Sequence, residues 1–148
     1  MTHFILQQAS RSALPNIKRI ATNNKDSLGF LSSAKIKDAI DRHNLLTIYD
    51  GDRVLGFVIY RHRKRDWQTT LYDICVDEAW RNQGLGRQLI EALKTECQNQ
   101  QRAFIQLKCP IDLAANSFYK HLGFHHMGTE QGKVRPLNVW RLPLEENE

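Results

Sequence analysis

The amino-acid sequence predicts a single domain, residues 1–148, of the α/β (α+β) class, with antiparallel and parallel strand pairs. Residues 45–49 and 54–60 are apolar runs joined by the turn Asp50-Gly51-Asp52, which is typical of an antiparallel hairpin. Residues 69–76, 84–100 and 104–107 have the pattern of strand, helix and strand, and such a crossover joins parallel strands. The length of 148 residues suits one domain with one core.

The composition excludes several classes of protein. The chain has 41% hydrophobic and 25% charged residues with only 8 glycines and 4 prolines, which excludes collagen-like, disordered and low-complexity sequences. The longest apolar run, residues 54–60, is far shorter than the roughly 20 residues of a membrane-spanning helix. Because the N-terminus also lacks a signal-peptide core, we expect a cytoplasmic protein without membrane contact.

The first part of the chain is predicted to contain one strand and two helices. An apolar strand begins at residues 4–6, and Ser10 or Ser12 can cap the helix that follows. The apolar residues of this helix recur at helical spacing: Leu14, Ile17, Ile20 and Ala21. A second short helix begins near Ser33, with three residues facing inward: Ile36, Ala39 and Ile40.

The remaining elements follow in a similar alternation. The strand at 69–76 is antiparallel to its predecessor if their connection is a simple hairpin, and Asp73 lies in its middle. The helix at 84–100 carries a single apolar stripe, formed by Leu85, Leu89, Leu93 and Cys97. A further helix around residues 113–122 ends at Gly123, a residue type favoured after helix ends, and residues 137–144 are predicted to form the final strand.

The most informative segment is residues 74–87, where an apolar strand enters a glycine-containing loop that opens a helix. Glycines allow close approach of a ligand to the backbone, and the free N–H groups and dipole of a helix N-terminus attract anions. Arg81 and Arg87 add full positive charges. A nucleotide P-loop is excluded because it requires Gly-Lys-Ser/Thr, and the dinucleotide fingerprint is excluded because position 89 is leucine.

Two motifs resemble those of the GNAT superfamily of acetyl-CoA-dependent N-acetyltransferases. The sequence Arg81-x-x-Gly84-x-Gly86 resembles the R/Q-x-x-G-x-G/A signature of that superfamily. About one strand downstream, residues 115–124 are similar to its A-N-x-F-Y-x-x-x-G-F element. The order of predicted elements from Phe4 to Leu144 also fits this superfamily, and two motifs in the right context are the test that a motif requires.

The resemblance implies a fold and a co-substrate. The expected fold is a mixed, mostly antiparallel sheet flanked by helices and split between the fourth and fifth strands, with acetyl-CoA entering the split and no metal. Backbone groups of Ile74, Cys75 and Val76 would then pair with the pantetheine arm and the acetyl carbonyl. The pyrophosphate would be held by the loop and helix start: Arg81, Asn82, Gln83, Gly84, Leu85, Gly86 and Arg87. The side chain of Asn116 matches a position that hydrogen-bonds the cofactor.

The same resemblance implies direct attack of a primary amine on the thioester, with named catalytic residues. Tyr119 matches the family's general acid, and a phenol with a pKa near 10 can protonate a leaving thiolate. Asp73 is the only charge within its apolar strand and is expected to accept a proton from the amine or to bind the acceptor. The alternative is that Asp73 simply accepts hydrogen bonds from nearby backbone. Many relatives carry Glu just before this position, where this chain has Tyr72, so a water chain is an alternative base.

Covalent and metal-dependent routes are not indicated. The three cysteines, Cys75, Cys97 and Cys109, are widely spaced, and no Cys-His-Asp arrangement is visible, so reduced, buried thiols are expected. The histidines His62, His125 and His126 lack further partners at metal-ligand spacing.

The acceptor is harder to infer than the co-substrate, and the expected class is an amine-bearing small molecule, protein or peptide. With 21 Lys and Arg against 16 Asp and Glu, the formal charge is +5, which favours anionic partners. The resemblance implies an acceptor region formed by the first two helices, the loop near residues 61–67 and a hairpin at residues 126–135. The basic residues of this region either recruit an acidic substrate, an acidic protein or aminoacyl-tRNA, or form a solvated rim that attracts the anionic cofactor: Arg42, His43, Arg61, His62, Arg63, Lys64, Arg65, Lys133 and Arg135.

The sequence also suggests a homodimer and an alternative function in nucleic-acid binding. The final-strand residues Asn138, Val139, Trp140 and Arg141 can extend a sheet across a homodimer. An alternative function of a different class is a basic coenzyme A-binding module that binds nucleic acid or the ribosome without turnover, since aromatic residues interleave with Arg61–Arg65. These aromatic residues are Tyr60, Trp67 and Tyr72.

Overall fold

The computed structural model describes residues 4–25, 31–64 and 66–144 as a mixed α/β fold built on a seven-stranded sheet. The strands are β1 (Ile5–Gln8), β2 (Leu45–Asp50), β3 (Arg53–His62), β4 (Gln68–Val76), β5 (Phe104–Pro110), β6 (His125–Gln131) and β7 (Pro136–Pro143). Their order in the sheet is β1-β2-β3-β4-β5-β7-β6. Arg65, one of the basic residues of the expected acceptor region, lies outside the described residues.

The helices lie between the strands in the predicted order. They are α1 (Leu14–Asn23), α2 (Ser33–Asp41), α3 (Leu85–Asn99) and α4 (Ala115–His121), with single 3-10 turns at Arg11–Ala13 and Glu78–Trp80. None of the helices described is long and apolar enough to cross a membrane.

The fold class predicted from the sequence is confirmed. β1, β2 and β3 are successively antiparallel, whereas β4 and β5 are parallel and paired only over Gln68–Thr70 with Phe104–Gln106. This short parallel pair is the split expected between the fourth and fifth strands. β5, β7 and β6 then continue the sheet in antiparallel pairs.

Two local predictions differ from the structure. β6 was not predicted from its own residues, because nearly all of them are exposed and it has no apolar alternation to reveal it; only the family resemblance implied a hairpin at residues 126–135. The prediction that Ser10 or Ser12 caps the first helix is wrong. A 3-10 turn separates both serines from α1, their hydroxyls bond each other at 2.7 Å, and Ala13 precedes the helix, which has a proline at its start. By contrast, Ser32 caps α2 by accepting a hydrogen bond from the Lys35 amide at 3.1 Å.

The described residues form two compact units. The first unit contains residues 4–25, 31–60 and 73–93. Its buried cluster joins α1, α2 and the first strands through residues such as Ile17, Ile20, Ile36, Leu45 and Phe57. The second unit contains residues 61–64, 66–72 and 94–144, and its buried apolar side chains include Ile105, Leu107, Tyr119, Phe124, Trp140 and Leu142.

Gly56 in β3 allows the backbone of β4 to approach closely within the first unit. A Cβ at this position would lie 2.9 Å from the Cys75 carbonyl oxygen and 3.3 Å from a methyl carbon of Leu89. Backbone at that distance cannot move aside as a flexible side chain can, so position 56 accepts no larger residue without displacing β4. Gly56 therefore fixes the strand end that carries residues 74–76.

We expect Gly56→Ala to lower the free energy of unfolding by about 1 to 3 kcal/mol, the usual effect of an overpacked core. Urea denaturation measures this change. Ser33→Ala is the control, because Ser33 is exposed at the start of α2 and the change should stay within about 0.5 kcal/mol. Equal stability of Gly56→Ala and the wild type would contradict the close approach.

Candidate active site

The strand-to-helix connection after β4 is a tight, preorganised loop. Asp77 directly follows the strand, and its side chain accepts a hydrogen bond from the Ala79 amide at 3.2 Å, which caps the 3-10 turn. Asn82 and Gly84 then adopt left-handed backbone conformations, with φ of 63° and 78°, before α3 begins at Leu85. Glycine and asparagine are the residues that adopt this conformation at least cost, which explains their presence here.

The backbone amides of residues 82–87 have no partner within the described part of the chain. The first backbone amide of this region to donate a hydrogen bond is that of Gln88, which donates to the Gly84 carbonyl at 3.1 Å. Arg81–Gly84 and Arg87 are exposed and Gly86 is half-buried, whereas the Leu85 side chain is buried. Six consecutive amides at the positive end of a 15-residue helix are suited to bind an anionic group such as a pyrophosphate.

The two arginines of the motif have different surroundings. The Arg81 guanidinium donates to the side-chain oxygen of Asn24, a buried residue at the end of α1 whose amide nitrogen donates to the Ile20 carbonyl at 2.8 Å. Arg81 is thus tied to α1 as well as being part of the loop. Arg87 is exposed one turn into α3.

Asp77 is a structural anchor of the loop that the sequence did not reveal. It is buried, and its carboxylate lies 3.1 Å from the Arg19 guanidinium and 3.8 Å from that of Arg53. Its amide donates to the Leu55 carbonyl at 2.7 Å. These partners lie far away in the sequence, so no local pattern indicated them.

Asp73 is a carboxylate held in a partly desolvated place. It lies in β4 between buried Leu71 and Cys75, and burial raises its pKa above the ordinary value, while the charge of Lys35 opposes this shift. Among the described residues, none donates a hydrogen bond to it. The alternative that Asp73 is merely satisfied by nearby backbone donors therefore has no support in the contacts of this region. A carboxylate with a raised pKa is a better proton acceptor than an exposed one.

Residues 74–76 follow Asp73 at the end of β4. Cys75 is buried and packs in the core of the first unit, whereas Ile74 and Val76 are half-buried. The predicted roles of their backbone groups toward a co-substrate stay predictions.

Asn116 in the second unit has a side chain that is fully used by the protein. Its amide nitrogen donates to the carbonyls of Pro110 at 2.9 Å and Leu113 at 2.8 Å. Its oxygen accepts from Asn138 at 3.0 Å and from the Trp140 indole at 2.9 Å. A primary amide offers two donors and two acceptor lone pairs, so these four bonds account for its capacity.

Tyr119 lies one helical turn after Asn116 and is 7% exposed. Its ring packs against Phe118 and Phe124, with centroid distances of 5.5 and 5.6 Å. The Phe124 amide donates to the Tyr119 carbonyl at 3.1 Å, which closes the end of α4. The network around Asn116 and this aromatic packing together fix the Tyr119 ring.

The cysteines are poorly suited to nucleophilic catalysis. Burial raises the pKa of Cys75 to about 12 and that of Cys97 to about 11, and it also raises the pKa of Cys109. Thiols with such pKa values stay protonated at neutral pH, and only a thiolate attacks a thioester. The described side chains include no group of three or more His, Cys, Asp or Glu residues that could hold a metal.

Comparisons with known proteins identify a family and a shared fold. The family model of the acetyltransferase (GNAT) domain matches residues 19–135. Ard1 from Thermoplasma volcanium has a similar structure, with a TM-score of 0.85, 20% identity, and coverage of 97% of this chain and 99% of that one. No curated protein matches the sequence.

Two further solved structures share the fold. The ribosomal-protein-S18-alanine N-acetyltransferase from Escherichia coli has a TM-score of 0.79 at 20% identity, covering 99% of this chain and 97% of its own. The putative acetyltransferase yncA from Salmonella typhimurium, solved with its cofactor acetyl-CoA, has a TM-score of 0.79 at 16% identity with the same coverage.

We expect Asp73→Asn to raise the free energy of unfolding at pH 7. Burial raises the folded-state pKa of Asp73, so the folded protein is relatively most stable below the ordinary aspartate pKa of about 3.9 and loses this contribution as pH rises through the raised value. Urea denaturation should therefore show a gain for the variant at pH 7 that shrinks toward pH 3.5. Asp52→Asn, at an exposed turn residue, should show no such gain. A loss of stability at pH 7 for Asp73→Asn would contradict this account.

Proposed function

We propose that this chain, which belongs to the GNAT acetyltransferase family, transfers the acetyl group of acetyl-CoA to a primary amine by direct attack. The family model matches residues 19–135, which is most of the 148-residue chain. The observation that carries the proposal is the set of six unpartnered amides, residues 82–87, at the N-terminus of α3. Acetyl-CoA has a pyrophosphate that suits these donors, and a similarly folded protein is described with acetyl-CoA as its cofactor.

The proposed binding of acetyl-CoA uses backbone groups more than side chains. The amides of Asn82, Gln83, Gly84, Leu85, Gly86 and Arg87 bind the pyrophosphate. The exposed Arg87 guanidinium adds charge, and Arg81 contributes both charge and the loop's attachment to Asn24. Backbone groups of Ile74, Cys75 and Val76 bind the pantetheine arm and the acetyl carbonyl as an added strand would.

Asn116 is proposed to position α4 and not to form a hydrogen bond to the co-substrate. Its four hydrogen bonds hold the start of α4 against the end of β5 and against β7. A coenzyme bond would require one of them to break. Asn116 thus supports binding by placing α4, and with it Tyr119, rather than by contact.

The proposed reaction needs a proton acceptor, an oxyanion donor and a proton donor. Asp73, with its raised pKa, takes a proton from the acceptor ammonium, and the free amine nitrogen then attacks the thioester carbon. The Val76 amide donates to the developing oxyanion. As the carbon–sulfur bond breaks, the coenzyme A thiolate receives a proton from the Tyr119 hydroxyl. The attacking nitrogen loses its second proton as the tetrahedral intermediate collapses, and that proton restores the Tyr119 hydroxyl. The products are the neutral acetylated amine and coenzyme A, and the proton taken up by Asp73 passes to solvent.

The acceptor is proposed as a class, a primary amine on a small molecule, peptide or protein. A structure of the same fold is named for acetylating an alanine of ribosomal protein S18, so peptide N-termini belong among the acceptors to test. Because the chain has a net charge of +5, which disfavours strongly cationic acceptors, neutral and acidic peptides are the preferred first acceptors.

We expect Gly84→Ala to weaken coenzyme A binding by up to about tenfold, because a left-handed alanine costs roughly 1 to 2 kcal/mol and the loop relaxes away from the binding geometry. Gly51→Ala is the matched control. Both glycines have positive φ, 78° and 60°, and a Cβ at either position meets nothing within 4 Å. Isothermal titration should therefore show weaker binding for the first variant only, although both lose similar stability. Equal affinities of the two variants would contradict the assignment of the loop.

We expect Tyr119→Phe to lower kcat by about 10²- to 10⁴-fold, the usual contribution of a general acid, without changing coenzyme A affinity. Thiol release from acetyl-CoA is measured with pooled acceptors: peptide N-termini, lysine peptides, small amines, amino acids and polyamines. Tyr49→Phe is the control for loss of a tyrosine hydroxyl in a half-buried place, and it should keep full activity. Unchanged kcat for Tyr119→Phe would remove Tyr119 from the mechanism.

A further inference from the structure

The turn between β3 and β4 contains an exposed tryptophan, Trp67, whose backbone is left-handed. Trp67 is 57% exposed and has a left-handed backbone with φ of 56°, a conformation that residues other than glycine and asparagine rarely adopt. Its carbonyl accepts a hydrogen bond from the Ala103 amide at 2.8 Å, which fixes its backbone beside the start of β5. Folding gains little from an exposed indole, so strain at this position indicates another use.

A second exposed aromatic ring is held in place nearby in the sequence. Tyr72 is 48% exposed, and its hydroxyl accepts a hydrogen bond from the Arg63 guanidinium at 2.9 Å. Arg63 also donates to Thr70 at 3.3 Å. His62 instead bonds Thr69, whose side chain is fully buried. Arg63, Thr70 and Tyr72 therefore share one face of the sheet, opposite to that of Thr69.

The pairing of the strands extends this face across the second unit. Thr70 is opposite Gln106 in the β4–β5 pair, and Gln106 is opposite Arg141 in the β5–β7 pair. Arg141 donates to Gln106 at 2.9 Å and lies 4.1 Å above the Phe104 ring. On β5 the intervening residues Ile105 and Leu107 are buried, so the face of Gln106 is the more exposed one.

The charge of this face is mainly positive. Its cations, including those of the turn, are Arg61, Arg63, Lys64, Lys108 and Arg141. The described carboxylates beside them are Asp66 in the turn and Glu130, which lies 2.6 Å from Lys108. We call this surface the basic–aromatic face.

We propose that the basic–aromatic face binds single-stranded nucleic acid, in addition to the proposed acetyl transfer. The cations match the charge of a phosphate backbone, and exposed aromatic rings such as those of Trp67 and Tyr72 are stacking platforms for unpaired bases. An acidic peptide would use the charges but not the rings. Tyr60 has no part in this face, although the sequence grouped it with Trp67 and Tyr72, because it is only 1% exposed.

The test is fluorescence anisotropy of the full chain with a labelled single-stranded RNA of about 12 nucleotides, within the site size of a single-strand binding surface. We expect a Kd of about 10⁻⁴ to 10⁻⁶ M at physiological salt. Trp67→Ala should weaken binding by about tenfold, whereas Trp67→Phe, which keeps a ring, should retain most of it. Far-ultraviolet circular dichroism checks that each variant is folded.

Two double variants, each of which removes two positive charges, distinguish binding at the basic–aromatic face from nonspecific electrostatic attraction of RNA to the protein. Arg61→Gln with Arg63→Gln should reduce the slope of log K against log salt by about 1.4, or about 0.7 for each lost phosphate contact. Lys25→Gln with Lys37→Gln removes two exposed charges from the first unit and should leave the slope unchanged.

Three outcomes would overturn the proposal. They are no RNA binding at physiological salt, equal loss of binding in the two double variants, and equal affinity for polyglutamate of the same charge. The readout is nucleic-acid binding alone, so a failure of acetyl transfer leaves this test unaffected.

Discussion

The constraint on which this structure depends is the set of backbone amides of residues 82–87, which the protein leaves without partners at the start of α3. The first N–H groups of any helix lack intrahelical partners, and here the preceding loop adds its own amides to them, so an anion at this place can accept from several donors at once. Much of the first unit holds these groups in place. Asp77 anchors the loop to Arg19 and caps its 3-10 turn, Arg81 ties it to Asn24, and Gly56 lets β4 lie close to β3.

Asn116 and Asp73 differ in how many hydrogen bonds their side chains make, and this difference separates a positioning residue from a candidate proton acceptor. Asn116 makes four hydrogen bonds within the protein and positions α4. Asp73 receives none from the described residues, and its pKa is raised by burial. A fold optimised for stability alone would favour a neutral residue there, and this cost is the observation behind the proposed role of Asp73 in proton transfer.

The sequence predicted the parts of this site that depend on local pattern. Residues 74–87 contain an apolar strand, a glycine with positive φ and the start of a helix. Their order predicted an anion-binding site, and the motif within them resembled that of a known family. The sequence could not reveal the partners of Asp77, which lie at Arg19 and Arg53, or the four partners of Asn116, because these contacts form only after distant segments pack. β6 was missed for a related reason: its exposed residues carry no periodicity, and only pairing with β7 makes it a strand.

The most direct test of the account is amide NMR of the full ¹⁵N-labelled chain during titration with coenzyme A. Amides that gain a hydrogen bond to a pyrophosphate shift strongly, so the account predicts that the largest shifts occur at residues 82–87. The amides of the exposed turn at Gly51 and Asp52, which also has a positive-φ glycine, should not move. Saturable binding with no shifts at residues 82–87, or no binding at all, would contradict the claim that these amides hold the co-substrate.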